Sequence, residues 1–330
     1  MPLQNNSVSK SMNSDKESGT VPKKGDSPRS SRLAVVGTVA VDSVETPFGK
    51  KDSVFGGSAS YFSYAASFTT SVALVAVVGR DFPAEYKAIL EERQMDLSHL
   101  EVKDGKTFHW KGKYAHDLNS AQTLDTQLNV LLDFNPVLRF EKSPDYLFLA
   151  NIDPVLQARV LDQLEKPRLK FVASDTMNYW IQNKKEDLLK VIARVDCLFL
   201  NDGEVRQLTG ESNLIRAAKK VQGLGPEHVV IKKGEHGVLF FSGHQFFALP
   251  AYPLESVFDP TGAGDTFAGG FMGYLASQDT VDFETMKKAV AFGSIVASFT
   301  VEDFGLDALR KISKADIEER LDLFKKISRF

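Results

Sequence analysis

Val257-Phe258-Asp259-Pro260-Thr261-Gly262-Ala263-Gly264-Asp265-Thr266-Phe267-Ala268-Gly269-Gly270 divides into two unlike halves. The first cannot be regular structure, because Pro260, Gly262 and Gly264 interrupt it. The second can be a helix, since Phe267, Phe271, Tyr274 and Leu275 recur at helical spacing. Residues 261–264 are therefore a glycine-rich turn that feeds a helix N-terminus. Free backbone N–H groups at such a terminus point at whatever lies in front of it, and the helix dipole favours an anion there. Gly262 and Gly264 let the backbone come close to that anion. Asp265 falls in the first helical turn, where an acid offsets the dipole by ~0.3–1 kcal/mol. Beside an anion-binding turn, the same carboxylate is also placed to accept a hydroxyl proton while a phosphoryl group is transferred.

Outward from this turn the chain alternates strand and helix. A short apolar run at 33–36 ends at Gly37, and small residues at 57–68 read as a helix. Residues 72–78 form a buried strand ending at Gly79, and 83–93 a helix with Pro83 in its first turn. Short strands are expected at 146–150, 170–173, 197–200 and 228–231, separated by helices at 154–164, 185–194 and 214–224. This alternation implies a mostly parallel sheet covered on both faces, with ligands outside the carboxyl ends of its strands. Asn151 and Asp153 follow one such strand, and Asp175 and Asn178 another. Polar residues there serve phosphate, magnesium or substrate, or equally well cap and turn the chain. Residues 107–115 break the rhythm. Phe108, Trp110 and Tyr114 face one way and His109, Lys111 and Lys113 the other, as in a half-exposed strand. With a second extended piece near 46–55, this predicts a small β-layer that acts as a lid or an interface.

Composition narrows the class. A net charge of −3 argues against a protein that works mainly by neutralising nucleic-acid phosphates or coating an anionic membrane. Residues 1–31 contain no aromatic side chain and are dominated by polar and small residues, so they read as a disordered tail. That tail has no continuous apolar stretch, and no run of about 18 apolar residues occurs anywhere. The single cysteine, Cys197, lies in an apolar run and reads as a buried, inert thiol. These features suit a reducing, cytoplasmic setting. The six histidines show no metal-ligand spacing. Neither a Gly-x4-Gly-Lys-Ser/Thr loop nor a Gly-x-Gly-x-x-Gly after the first strand is present.

The Asp-x-Thr-Gly-Ala-Gly-Asp pattern followed by a helix resembles a signature of the PfkB carbohydrate kinases, the ribokinase-like superfamily. The resemblance runs from about residue 33 to about 309. It implies a three-layer α/β/α domain over 32–330 with a mostly parallel central sheet and a small β-sheet lid, whose strands fall within 44–55 and 106–130. It also implies transfer of the γ-phosphoryl group of ATP to an alcohol, with Gly262, Ala263 and Gly264 as the anion hole and Asp265 as general base. Asp42, a few residues after Gly37, matches the family's substrate-binding acid. Gly56 and Gly57 match a Gly-Gly pair that approaches the substrate, and Asn151 joins that group. Gly79-Arg80-Asp81 matches a motif read as structural. Asn201-Asp202-Gly203-Glu204 matches the motif that organises magnesium-bound phosphates, Glu204 acting through water. Lys233, Gly234 and Gly237 match the turn near the adenosine. Asp259 and Thr261 match positions that hold a monovalent cation such as K⁺, with 298–305 completing the loop pair.

Sugar-kinase members carry Asn four residues after the Gly-Gly pair, whereas this chain has Tyr61. The Gly56-Gly57-Ser58-Ala59-Ser60 segment looks more like the nucleoside-kinase side, and Phe108, Trp110 and Tyr114 could stack on a base or pack a homodimer through the lid. A sugar and a nucleoside thus stay open as substrates. A third reading, from another class, is a kinase-like scaffold that has lost catalysis.

Overall fold

The computed structural model describes residues 31–116, 118, 121–164 and 168–329. Apart from Ser31, the expected tail lies outside the described residues. In chain order the first part of the fold is β1 (Leu33–Val36), β2 (Ala40–Thr46), β3 (Gly49–Gly56), α1 (Ser58–Ala66), β4 (Val72–Gly79), α2 (Ala84–Glu92), β5 (Leu100–Lys103), β6 (Phe108–Tyr114) and β7 (Ala121–Gln127). Next come β8 (Tyr146–Leu149), α3 (Pro154–Gln163), β9 (Phe171–Asp175), α4 (Asn178–Asn183), α5 (Lys185–Ile192), β10 (Cys197–Asn201), α6 (Asp202–Thr209) and α7 (Leu214–Gln222). The chain closes with β11 (His228–Lys232), β12 (Val238–Ser242), β13 (Gln245–Leu249), α8 (Ala263–Gln278), α9 (Phe283–Thr300), α10 (Asp307–Lys311) and α11 (Lys314–Ile327).

The main sheet has the order β13-β12-β11-β10-β9-β8-β1-β4-β5. The strands from β11 to β5 run parallel, and β12 and β13 add an antiparallel edge. Side-chain alternation sorts the apolar strands into two faces. Leu33, Val35, Leu74 and Phe148 pack with α1, α8 and α9. Ala34, Val36, Val75 and Leu147 pack on the other face with α3 and α5, and Leu198, Leu200 and Val229 continue that face with α6 and α7. Both faces are covered, which is why these strands read as unbroken apolar runs. Cys197 is buried and unpaired, as its surroundings in sequence suggest. Among the described residues no helix is long and apolar enough to cross a membrane.

A second sheet, in the order β3-β2-β6-β7, forms the expected lid. It starts earlier than the sequence indicates, because β2 begins at Ala40 rather than within 44–55. Its register shifts between Asp42 and Val44, and five of its seven residues are buried, so no clean alternation marks it as a strand. The β2–β3 hairpin is fastened to the body. Lys51 Nζ lies 3.0 Å from Asp307, the Phe304 ring covers Gly49, and the Tyr86 hydroxyl donates to the Ser53 carbonyl at 2.5 Å. Pro83 sits one place before α2, as its N-cap, rather than inside the first turn. Asp81 is structural: its Oδ1 accepts the backbone N–H and the hydroxyl of Thr107 at 2.7 and 2.8 Å, tying the end of β4 to the start of β6.

Candidate active site

Three parallel strands end side by side in polar residues: β9 at Asp175, β10 at Asn201 and β11 at Lys232. The N-terminus of α8 lies against this edge. Gly262 is its N-cap, with φ +75, a left-handed conformation that suits glycine. Its Cα rests directly on the ring of Tyr61, so a Cβ there would collide with the ring. Asp259 shapes the approach, its Oδ1 accepting the Thr261 N–H at 2.9 Å. The Ala263 N–H donates to the Pro260 carbonyl at 3.1 Å, so it is engaged within the turn. Among the described residues the N–H groups of Gly262 and Gly264 have no acceptor, so both stand free at the start of α8.

Asp265 is in the first turn of α8 and is partly buried. Burial pushes its carboxyl up to about 7; Lys232 opposes that rise and Glu204 adds to it. Asp175 is pushed up too, by burial first and then by Asp265. Its Oδ1 is buried without a hydrogen-bond partner. Glu204 is raised by burial and lowered by Lys232. Asn201 and Glu204 form a capping box on α6: Asn201 Oδ1 accepts the Glu204 N–H, and Glu204 Oε2 accepts the Asn201 N–H, both at 2.7 Å. Capping uses one oxygen of each side chain and leaves Glu204 Oε1 available.

Asp42 projects from β2 and is 4% exposed. Burial raises its carboxyl to about 8, hydrogen bonds from the Gly57 and Trp110 backbone oppose that, and the charges of Asp259 and Asp265 add to it. Gly56 has no side chain because Asp42 Oδ2 occupies that space. Gly57, with φ +96, caps α1, and a Cβ on it would lie 2.5 Å from the Thr38 carbonyl oxygen. Asp42 Oδ1, the Tyr61 hydroxyl and Asp259 Oδ2 are all buried without partners, and Asp42 and Asp259 are the two charges that act most on Tyr61. Tyr114 reaches this region from β6: the Thr261 hydroxyl donates to its oxygen at 3.3 Å. Trp110 does not, lying along its own sheet over Gly112 and donating to Thr123 at 3.1 Å.

Other sequence candidates are placed differently. Asn151 is held rather than free, with its Oδ1 accepting the Trp180 indole N–H at 2.8 Å and its Nδ2 directed at Met177 Sδ. Its carbonyl accepts the Ser58 hydroxyl at 3.2 Å, so it anchors the start of α1. Lys233, Gly234 and Gly237 form the β11–β12 turn, closed by the Lys233 N–H on the Gly237 carbonyl at 2.8 Å. The loop after α9 meets Asp259 as the 298–305 pairing requires: Val301 O accepts the Phe258 N–H at 2.8 Å. Sequence reasoning missed Lys232, which ends a strand directly before Lys233 and Gly234, the residues of the Lys-Lys-Gly run that were singled out.

The raised acids make stability depend on pH. An unfolded Asp is already ionised above about pH 5, while folded Asp42 keeps its proton up to about 8. Unfolding then releases a proton, so stability falls as pH rises through this window. Asp175 acts in the same direction. His99 and His228, lowered by burial, act oppositely but only below about pH 7. The ligand-free protein should lose about 1 kcal/mol between about pH 7 and 8 for each such proton. Urea unfolding across that range should show the fall, and Asp42→Asn should flatten it. A slope that the variant leaves unchanged would mean Asp42 is already ionised.

Residues 43–312 match the pfkB family of carbohydrate kinases. A cytidine kinase from Thermococcus kodakarensis is 31% identical over 73% of this chain and 87% of its own length. The nucleoside kinase of Methanocaldococcus jannaschii superposes with a TM-score of 0.71 at 20% identity, covering 88% of this chain and 98% of that one. A double mutant of Vibrio cholerae fructokinase, with fructose, ADP and potassium bound, superposes with a TM-score of 0.73 at 19% identity, covering 90% and 100%.

Proposed function

Since this chain belongs to the pfkB family of carbohydrate kinases and is thereby an ATP-dependent kinase of a sugar or nucleoside hydroxyl, we propose that its acceptor is a nucleoside and that Asp265 is the general base. The observation that carries the chemistry is Asp265 beside the two unengaged N–H groups of the glycine turn, with Asp42 in its electrostatic field. The likeness to a cytidine kinase favours the nucleoside.

In this reading Asp42 accepts hydroxyls of the bound nucleoside, and the backbone of Gly56 and Gly57 lies alongside. The attacking hydroxyl gives its proton to Asp265 as its oxygen bonds to the γ-phosphorus and the bond to the β,γ-bridging oxygen breaks. The N–H groups of Gly262 and Gly264 carry charge that spreads over the phosphoryl oxygens, which is where most phosphoryl-transfer catalysis lies. Ala263 contributes by holding the turn on Pro260, and Asn151 by holding α1. Lys233, Gly234 and Gly237 line the adenosine end.

Hard cations take oxygen ligands, and Asp175 Oδ1, unpartnered, and Glu204 offer two carboxylates for Mg²⁺. Among the described residues no group of three or more such side chains comes together, so water and phosphate oxygens would complete the shell. When bound, the ion would neutralise phosphate charge on ATP. Asp259 Oδ2, buried and unpartnered where the 259–261 and 301–305 segments meet, suits a monovalent cation, with Thr261 beside it. The segment 32–330 acts as one catalytic domain, with the lid closing over the acceptor.

The test is a panel of ribonucleosides, deoxyribonucleosides, ribose and fructose, offered with ATP and Mg²⁺ while ADP release is followed. Pyrimidine nucleosides should give the highest kcat/KM. Preferential turnover of ribose or fructose would replace the nucleoside reading with a sugar kinase.

A further inference from the structure

We propose that Lys232 is a further catalytic residue of this kinase, its ammonium contacting the transferred phosphoryl group over the glycine turn; the inference rests on the phosphoryl-transfer reading above. Strand β11 delivers Lys232 to the carboxyl edge of the sheet, opposite Asn201 in the pairing with β10. Its Nζ lies 2.8 Å from the point that a Cβ on Gly264 would occupy. The side chain thus lies over the anion hole instead of extending into solvent.

What surrounds it is one-sided. Its charge acts on Asp175, Glu204 and Asp265, favouring the ionised form of each. Yet among the described residues the Lys232 ammonium has no hydrogen-bond partner and no carboxylate within ion-pair distance, although its backbone is paired in the sheet. Compare Lys184, whose Nζ is fixed on Asp153 at 2.5 Å. The Lys232 ammonium has three donors, none committed, on a flexible four-carbon stem. The two free N–H groups of the turn are fixed in place, whereas the phosphoryl group moves from ADP to the alcohol during transfer. A mobile cation can follow that movement.

The balance of the step is simple. The alcohol oxygen bonds to the γ-phosphorus, the β,γ-bridging oxygen leaves with the bonding pair as part of ADP, and the alcohol proton ends on Asp265. Lys232 keeps its three protons throughout and contributes only charge and hydrogen bonds. It also favours the ionised Asp265 that accepts the proton.

Lys232→Met and Lys232→Arg, compared with the wild-type chain, test this. The acceptor is the substrate found in the panel, and two binding measurements accompany turnover: ADP with Mg²⁺ alone, and the same with aluminium fluoride, which mimics the phosphoryl group in flight. For Lys232→Met we expect kcat to fall by roughly 10²–10³, the scale of removing one donor from a charge-stabilising hole. Aluminium fluoride complex formation should weaken by a similar factor, while ADP binding alone and the acceptor KM change less than about threefold. Lys232→Arg should recover at least about tenfold of the loss, because it restores charge and donors. The ADP measurement also reports that the variant is folded. A Lys232→Met kcat within about threefold of wild type would overturn the proposal. So would equal losses in ADP binding and kcat with no recovery by Arg, the result expected of a residue that merely balances the nearby acids. Absence of phosphoryl transfer by the wild-type chain would remove the kinase reading itself, and the inference with it.

Discussion

Asp265→Asn should lower kcat by roughly 10²–10⁴ while leaving ATP affinity within about threefold, the range for loss of a positioned general base. Asparagine is nearly isosteric and keeps the first turn of α8 intact, so the loss reports proton acceptance rather than folding. Burial, offset in part by Lys232, sets the carboxyl at about 7. An acid shifted upward has more driving force to take a proton than an ordinary aspartate, yet is still substantially ionised near neutrality. The rate for wild type should therefore rise with pH through about 7 and then level off. The residual rate of the variant should lose that dependence. Wild-type turnover by Asp265→Asn would remove the base assignment.

Gly262→Ala should damage folding and turnover together. Two costs coincide at this position. A left-handed conformation at φ +75 costs a residue with a Cβ ~1–2 kcal/mol. The new methyl also collides with the Tyr61 ring, which is fully buried in the main core and has nowhere to go. Overpacking of this kind costs a further ~1–3 kcal/mol. Whichever side yields, the N–H donors leave their places, so kcat should fall by ~10²–10³. Thermal unfolding and turnover measured on one preparation check both effects. Gly264→Ala is the control for stability: its methyl would meet only the far end of the Lys232 side chain, and its unfolding temperature should stay near that of wild type. A Gly262→Ala protein that is folded and fully active would show that the turn does not hold the phosphoryl group.

The legibility of the site in sequence follows from how local each part is. The turn at 261–265 could be read because proline, two glycines and a helical repeat lie within a few residues of one another. Asn201 and Glu204 could be read for the same reason, since a capping box is a four-residue event. Asp42 was legible as a site residue, but its strand was not. The register shift after it and the burial of β2 on both faces erase the alternation that marks a half-exposed strand. Asp175 stayed open between site and cap because its neighbours, Asp265 and Glu204, come from other segments. Asn151 stayed open between a substrate contact and a turn residue because nothing local reveals that Trp180 and Met177 hold its amide. Lys232 was invisible for a stricter reason: only the order of strands in the sheet, β9-β10-β11, brings it to Gly264. Of the lid aromatics, the sequence could show that they share a strand face. The packing of Trp110 back on Gly112, while Tyr114 reaches Thr261, depends on an irregularity in the β6–β7 pairing.

The position of β1 bears on how the chain reaches this structure. Leu33 pairs on one side with Val72 and on the other with Tyr146, so the centre of the sheet is closed by segments far apart in sequence. Such long-range pairing is slow, because loop-closure entropy is spent before the contacts that reward it form. On the ribosome, β1 must wait with one apolar edge uncovered until β8 has been made. A chain arrested between β4 and β8 would carry that open edge as a template for pairing with another nascent chain. Folding yield should accordingly respond to chaperone supply and growth temperature more than the finished protein, with β1 paired on both sides, would suggest.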